Sequence, residues 1–232
     1  MCYISKQRRA RSSNKKTFSK MKILNLYACL GGNRYKWDEV TDIEVTAVEW
    51  DKDLAKLYQE RFPNDKVIVA DAHQYLLDHY KEFDFIWSSP PCPTHSRINI
   101  SMKTKHKMRY PQMELYQEII FLDNFFNGKY CVENVVPYYE PLIPAKKRGR
   151  HLYWTNFNLP LIKERDAIIR RWQIPQLEKH HDINISDYKG NQSKRKILRN
   201  LVDYEAGRTI LETALGLTRK ENVKQQTIFD EC

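Results

Sequence analysis

The chain has 232 residues, enough for one domain with a sizeable apolar core. Its net charge of +10 and isoelectric point near 9.3 favour a polyanionic partner such as nucleic acid, and a hydrophobic content of 41% excludes a wholly disordered chain. Because the sequence shows no membrane-length apolar run, no signal-peptide pattern and no metal spacing among its five cysteines, we expect a cytoplasmic protein without a membrane segment or a metal site.

The first twenty residues form a basic stretch without apolar periodicity. They carry seven Lys or Arg residues and no acid. Such a polar stretch buries too little apolar surface to fold, so we predict a disordered arm over residues 1–20. The arm would add non-specific affinity for nucleic-acid phosphates.

From Lys22 onward, apolar strands alternate with amphipathic helices. The predicted strands cover residues 22–28, 43–50, 66–71, 83–89 and 129–135, and a sixth strand follows Arg150. The predicted helices are a short one after residue 29, one at 51–62, one entered at Pro111 and ended by Gly128, and one from about Tyr204 to Leu215. This alternation predicts an α/β fold with a mostly parallel open sheet and helices on both faces.

A glycine turn and two acidic strand ends form the first candidate site. In "YACLGG", which follows the first strand, Gly31 and Gly32 would let backbone approach a ligand closely. Glu49 ends the second strand, placed for a ribose diol, and Trp50 beside it can stack on a purine. Asp71 ends the third strand, placed for an adenine amino group, although each acid taken singly fits a helix N-cap equally well. Without a GxxxxGK[ST] or GxGxxG phosphate motif, the set favours S-adenosylmethionine over ATP or NAD.

The second candidate site begins at "WSSPPCPTHSR", where the fourth strand ends and Cys92 stands between prolines. The thiol is either a nucleophile or a small hydrophobe in a rigid turn. Glu133, at the end of the fifth strand, is either a proton donor with a raised pKa or a salt-bridge partner of the basic loops. Arg148 and Arg150 precede the sixth strand, and their alternate spacing predicts that both side chains share one face, towards the site or towards phosphates alone.

Six segments, in this order, resemble the motifs of the DNA (cytosine-5) methyltransferase family: "LYACLGG", "EWDKDLAKLYQERFP", "AD", "SSPPCPTHS", "VENV" and "KRGRHLYWTNF". The resemblance covers about residues 22–157 and is nearest in style to compact phage and prophage members. It implies a Rossmann-like, S-adenosylmethionine-dependent methyltransferase fold acting on C5 of a flipped-out cytosine in duplex DNA. Two alternatives stay open: cytosine-5 methylation of tRNA, and a degenerate DNA-binding or regulatory subunit.

The resemblance also implies residue roles. Cys92 matches the nucleophile that adds to C6 of the cytosine. Glu133 matches the glutamate that holds N3 and the amino group of that base, and Arg150 matches the arginine that contacts its carbonyl O2. Arg148 is the companion of that arginine. The positions that match the family's cofactor site are Tyr27, Leu30, Gly31, Gly32, Glu49, Trp50, Asp71, Pro91, Asn200 and Val202. The positions expected to contact nucleic acid are Ser96, Arg97, Lys103 and Lys105.

Three positions depart from the family pattern: Cys29 stands where the family has glycine, Asn25 where it has aspartate, and Pro93 where it has glutamine. The segment before Lys194 is also too short for the family's target-recognition domain. Selectivity would then be slight, carried by short loops, or supplied by a second subunit. The "QQTIFDEC" terminus resembles peptides that dock on sliding clamps, although a frayed tail explains it more simply.

We accordingly divide the chain into five parts. They are a basic arm at 1–20, a catalytic and cofactor-binding core at 21–157, a reduced target-recognition segment at 158–193, a C-terminal segment returning to the core at 194–218, and a flexible tail at 219–232.

Overall fold

A computed structural model describes residues 20–101, 108–160 and 172–217. Within these ranges the strands are β1 (Met21–Leu26), β2 (Ile43–Val48), β3 (Lys66–Ile68), β4 (Phe85–Ser88), β5 (Lys129–Val135), β6 (Lys146–Arg148) and β7 (His151–Thr155). The helices are α1 (Lys52–Arg61), α2 (Ala72–His79), α3 (Arg97–Ser101), α4 (Glu114–Phe125), α5 (Ile174–His181), α6 (Lys194–Asn200) and α7 (Tyr204–Ala214). None of these helices has the length and apolarity that crossing a membrane requires.

The strands form one seven-stranded sheet in the order β3-β2-β1-β4-β5-β7-β6. Strands β1 to β5 pair in parallel, and β7 runs antiparallel to both β5 and β6. The predicted α/β class with a mostly parallel sheet is confirmed. From β1 the chain adds β2 and β3 on one side of the sheet, and then returns to add β4 and β5 on the other side of β1. In open α/β sheets, ligands bind beyond the carboxyl ends of the strands at such a switch point.

Both faces of the sheet are covered by helices, as predicted. In β1, Leu24 and Leu26 face the cluster that includes side chains of α2 and α4, whereas Ile23 faces the cluster that includes side chains of α7. Alternate residues of a strand point to opposite faces, so a strand buried on both sides reads as a continuous apolar run. This explains why β1, β2, β4 and β5 were recognisable in the sequence.

A third apolar cluster joins the C-terminal helices to the first half of the chain. Leu177 of α5 and Ile197 of α6 pack with Leu30, which follows β1, and with Leu54 of α1. Helices α5 and α6 therefore form a small cap beside the carboxyl ends of β1 and β2. The cap contains residues from both sides of the boundary we drew at residue 193.

The loop after β1 contains the predicted glycine turn, but the short helix predicted after it is a 3-10 turn at Trp37–Glu39. Residues 27–36 form turns. Tyr27, Cys29 and Gly31 have positive φ angles of 56°, 49° and 67°, left-handed conformations that turn the chain directly after β1.

Other differences concern helix boundaries and missed elements. Helix α4 begins at Glu114, so Pro111 lies before the helix and not in its first turn. Helix α7 begins at Tyr204 as predicted. Elements α2, α3, α5, α6 and β6 were not predicted because they are short and weakly periodic.

Candidate active site

A cavity of about 410 Å³ opens at the carboxyl ends of the parallel strands. This volume lies within the range of about 300–1,000 Å³ that is usual for small-molecule sites. Residues from the loops after β1, β2 and β4 and from the last part of β5 line it, together with the turn before β7 and the segment that contains α6. The predicted site residues that line it are Tyr27, Gly32, Glu49, Trp50, Pro91, Cys92, Glu133, Arg150, Asn200 and Val202.

The loop that carries Cys92 is held by its own backbone and by β5. The Cys92 carbonyl accepts hydrogen bonds from the backbone N–H groups of His95 (3.1 Å) and Ser96 (3.0 Å), which closes a turn. The Asn134 side chain donates from Nδ2 to the Pro90 carbonyl at 2.9 Å. Since Asn134 is next to Glu133 on β5, this bond ties the thiol loop to the strand that carries the carboxylate.

The Cys92 thiol is half-buried, and its surroundings keep it protonated. Burial raises its pKa to about 11, and the charge of Glu133 acts in the same direction. The cations Lys196 and Arg150 act in the opposite direction. Because the thiolate is the nucleophile, any reaction at this sulfur depends on how these charges are balanced.

Glu133 lies at the end of β5 with its side chain buried beside the cavity. The Oε1 atom of Glu133 is 3.7 Å from Nε2 of His151, the first residue of β7. His151 pairs with Val135 across the two strands, which places the imidazole over the end of β5. The structure thus brings a carboxylate, an imidazole and the Cys92 thiol to one cavity.

The two arginines do not share a face, which corrects our prediction. Arg148 pairs with His151 as the last pair of the β6–β7 ladder, so Gly149 and Arg150 form a two-residue turn. Gly149 has a φ of 51°, a conformation that glycine adopts readily. Alternate spacing places side chains on one face only within a strand, and the turn interrupts the strand here.

As a result the two guanidinium groups have different surroundings. Arg150 lines the cavity. Arg148 lies outside it and donates to three backbone carbonyls, those of Lys147 (2.9 Å), Leu159 (3.1 Å) and Pro160 (2.9 Å). Arg148 therefore fastens the hairpin to the segment that follows β7.

Glu49 and Trp50 form the opposite end of the cavity. Glu49 is buried, which raises its pKa, and its carboxylate accepts from the backbone N–H groups of Cys29 (2.8 Å) and Asp51 (2.9 Å). The Trp50 N–H also hydrogen-bonds to this carboxylate, and a carboxylate has about four acceptor positions, so one remains for a ligand hydroxyl. The Trp50 side chain is 69% exposed at the rim, an unusual exposure for a large aromatic ring and one that suits stacking on a ligand ring.

The two glycines are required mainly by packing within the protein. A Cβ atom on Gly31 would lie 2.4 Å from the Phe62 ring, and one on Gly32 would lie 2.5 Å from the Val202 carbonyl oxygen. Only Gly32 lines the cavity. Our prediction that both glycines admit a ligand therefore needs correction for Gly31.

Two further cofactor predictions lie outside the cavity lining. Leu30 is fully buried in the cluster formed with α5 and α6. Asp71 is the N-cap of α2, where its Oδ1 atom accepts from the Gln74 N–H at 2.9 Å. Of the two alternatives for Asp71, an adenine contact and a helix N-cap, the structure shows the N-cap.

The predicted nucleic-acid contacts lie beside the cavity and not in it. Ser96 forms an isolated β-bridge with Pro137, and Arg97 lines a shallow groove that also includes Tyr138. Lys103 and Lys105 lie outside the described residues, as do residues 1–19 of the basic arm and the "QQTIFDEC" terminus.

A sequence profile described as C-5 cytosine-specific DNA methylase matches residues 21–136, half of the chain. The chain belongs to this family. It is accordingly a methyltransferase, and S-adenosylmethionine is the cofactor that the family implies. No curated protein sequence matches the chain significantly.

One solved structure agrees with the family assignment at the level of the fold, and two others are similar over shorter stretches. The Entamoeba histolytica methyltransferase EhMeth superposes with a TM-score of 0.54 at 11% identity, covering 87% of this chain and all (100%) of that one. A Spodoptera frugiperda DNMT2 variant has a TM-score of 0.41 at 20% identity, covering 64% of this chain and 54% of that one. A methyltransferase from Agrobacterium tumefaciens has a TM-score of 0.38 at 15% identity, covering 52% of this chain and 40% of that one.

The residues at the Glu49 end of the cavity fit S-adenosylmethionine. The Glu49 carboxylate offers an acceptor to the ribose hydroxyls, and Trp50 offers a ring face to the adenine. Both line the same cavity as Cys92, so a ligand bound at this end has its other end near the thiol.

Asn200, the last residue of α6, was predicted at the site, but the other contributions of this segment were not. Lys196 and Arg199 on α6 and Gln192 before it line the cavity, and Gln192 donates to Asp51 at 3.0 Å. The only signal was the basic run at 189–199, which we interpreted as a general nucleic-acid feature. Placing it at the cavity required the apolar packing of the α5–α6 cap on α1.

Proposed function

We propose that the protein is a DNA (cytosine-5) methyltransferase that uses Cys92 as its nucleophile. The observation that carries the proposal is that Cys92, Glu133 and Arg150 line one cavity together with Glu49 and Trp50. A reactive thiol, a proton donor, a cation and a nucleoside-binding end are the groups that methyl transfer to a cytosine ring requires.

Cytosine C5 is a weak nucleophile, and the chain's own residues would activate it. Cys92 loses its proton to solvent and its thiolate forms a bond to C6. The electrons of the C5–C6 double bond move into the ring, and N3 takes a proton from Glu133, which would take up that proton from solvent as the base binds. Arg150 hydrogen-bonds to the O2 atom and stabilises the charge that develops there.

S-adenosylmethionine supplies the electrophilic methyl group that C5 accepts. Loss of the C5 proton to solvent then re-forms the C5–C6 double bond and expels the Cys92 thiolate. Glu133 takes back the proton from N3 in the same step. The thiolate takes up a proton from solvent, which returns the enzyme to its starting protonation state.

The substrate base must leave its stack to reach this site. C5 and C6 of a stacked cytosine are covered by neighbouring bases, and Cys92 lies in a cavity, so the base has to be flipped out of the helix. The net charge of +10 suits the phosphates on either side of a flipped nucleotide. Residues 158–193 would supply only a reduced recognition surface.

The proposal is tested by offering labelled S-adenosylmethionine with duplex DNA and, separately, with tRNA. We expect label in DNA, at C5 of cytosine. Label in tRNA alone would move the substrate to RNA, and no transfer to either acceptor would contradict the proposal. Cofactor binding without transfer would favour a regulatory subunit.

The nucleophile is tested with duplex DNA that contains 5-fluorocytosine. Fluorine at C5 blocks the final elimination, so we expect a covalent protein–DNA complex that survives denaturation. Cys92→Ser should abolish the complex, whereas Cys131→Ser, which alters a buried thiol in the core, should retain it.

A further inference from the structure

Lys196 is a cation at the rim of the cavity that holds Cys92. It lies on α6, its side chain is exposed, and it forms part of the cavity lining. Among the described residues, the Lys196 ammonium has no hydrogen-bond or ion-pair partner. Lys194, on the same helix, contrasts with it: its Nζ atom donates to the Ser186 carbonyl at 2.6 Å, outside the cavity.

Charged and titratable groups face the cavity around Cys92 from several elements. They are Tyr27 and Cys29 after β1, Glu49 after β2, Glu133 on β5, Arg150 in the β6–β7 turn, His151 on β7, and Lys196 and Arg199 on α6. Burial and the Glu133 charge raise the pKa of the Cys92 thiol, and the charges of Lys196 and Arg150 lower it. In the proposed reaction Arg150 also hydrogen-bonds to the cytosine O2 atom and keeps its charge, so Lys196 acts beside it in favouring the thiolate.

We infer that Lys196 is a positioning residue for the nucleophile, whose ammonium shifts the balance between thiol and thiolate at Cys92 towards thiolate. The consequence for methyl transfer rests on the proposed function. The effect on the Cys92 thiol does not rest on the proposed function, because it depends only on the position of Lys196 and Cys92 in the same cavity.

The experiment measures the alkylation rate of Cys92 by iodoacetamide against pH, with the Cys92 peptide followed by mass spectrometry so that other cysteines do not contribute. Lys196→Ala should raise the apparent pKa by about 0.5–1 unit and slow alkylation about two- to fivefold below that pKa. Lys196→Arg, which keeps the charge, should behave as the unaltered protein. Lys194→Ala, which removes a charge from the same helix, should also leave the profile unchanged.

Salt provides a second readout that a structural role would not affect. At about 1 M salt the screening length is roughly 3 Å, so the difference between Lys196→Ala and the unaltered protein should shrink. An unchanged pH profile in folded Lys196→Ala protein would overturn the inference, and so would an equal shift in Lys194→Ala.

Kinetics with DNA separate this role from a phosphate contact. Lys196→Ala should lower kcat and leave the KM for DNA nearly unchanged. A raised KM with an unchanged alkylation profile would make Lys196 a phosphate contact and overturn the inference. If the unaltered protein transfers no methyl group, the proposed function fails, while the alkylation profiles still decide the role of Lys196.

Discussion

Gly32→Ala tests how the C-terminal segment closes the cofactor end of the cavity. The added Cβ atom would lie 2.5 Å from the Val202 carbonyl oxygen and 3.1 Å from the Leu201 Cβ atom. An ordinary carbon–oxygen contact is close to 3.4 Å, so the backbone must move by almost 1 Å. We expect the resulting strain energy to be similar to that of overpacking a protein core. We expect a loss of about 1–3 kcal/mol in the free energy of unfolding and, at about 2–4 °C per kcal/mol, a lower melting temperature.

The same displacement should weaken cofactor binding. Gly32 and Val202 both line the cavity, so moving them apart deforms the wall that a bound S-adenosylmethionine would contact. Calorimetric titration with S-adenosylmethionine should show at least about tenfold weaker binding, the equivalent of about 1.4 kcal/mol.

Gly216→Ala is the matched control. A Cβ atom on Gly216 meets nothing within 4 Å, although the φ of 70° makes alanine strained there. This variant should lose about 1 kcal/mol of stability and keep its affinity for S-adenosylmethionine. Unchanged cofactor affinity in folded Gly32→Ala protein would refute the argument that Val202 and Gly32 form one wall of the site.

Three further predictions follow from the site and the core. Glu133→Gln should speed alkylation of Cys92 at neutral pH, because removing the carboxylate charge lowers a thiol pKa that is about 11 in the unaltered protein. The same variant should abolish methyl transfer. Slower alkylation would contradict the predicted direction of the pKa change. Arg150→Ala should reduce kcat strongly, whereas Arg148→Ala, assayed beside it, should mainly lower the melting temperature, since Arg148 bonds three carbonyls away from the cavity. Arg34→Ala should cost about 3–5 kcal/mol in denaturant unfolding, because it leaves the buried Asp65 carboxylate unpaired, and a loss below about 1 kcal/mol would argue against this ion pair.

The departure at position 29 now has a structural description. Cys29 has a φ of 49°, a conformation that favours glycine, and its N–H donates to Glu49 at 2.8 Å. Cys29 thus adopts a left-handed backbone conformation that a glycine would adopt without strain, which lowers the stability of the fold by about 1–2 kcal/mol. Cys29 is half-buried at the cavity wall, where burial and then the charge of Glu49 raise the pKa of its thiol.

Much of the fold could be predicted because its signals are local. The strands that are buried on both faces read as apolar runs, and α1 shows helical spacing from Leu54 onward. Cys92, Glu133 and Glu49 each follow or end such a strand, and the carboxyl ends of parallel strands meet at one edge. Knowing the strands was therefore enough to bring these three residues to one site.

The sequence by itself thus determined the α/β class, the strand ends that carry the chemistry, and the family pattern. Only the tertiary structure decided that Arg150 enters the cavity while Arg148 leaves it, that Val202 closes on Gly32, and that Lys196 reaches the rim. These features depend on a two-residue turn and on contacts between segments far apart in the chain. Local periodicity carries no record of such contacts, because they arise only when the apolar faces of separate elements pack together.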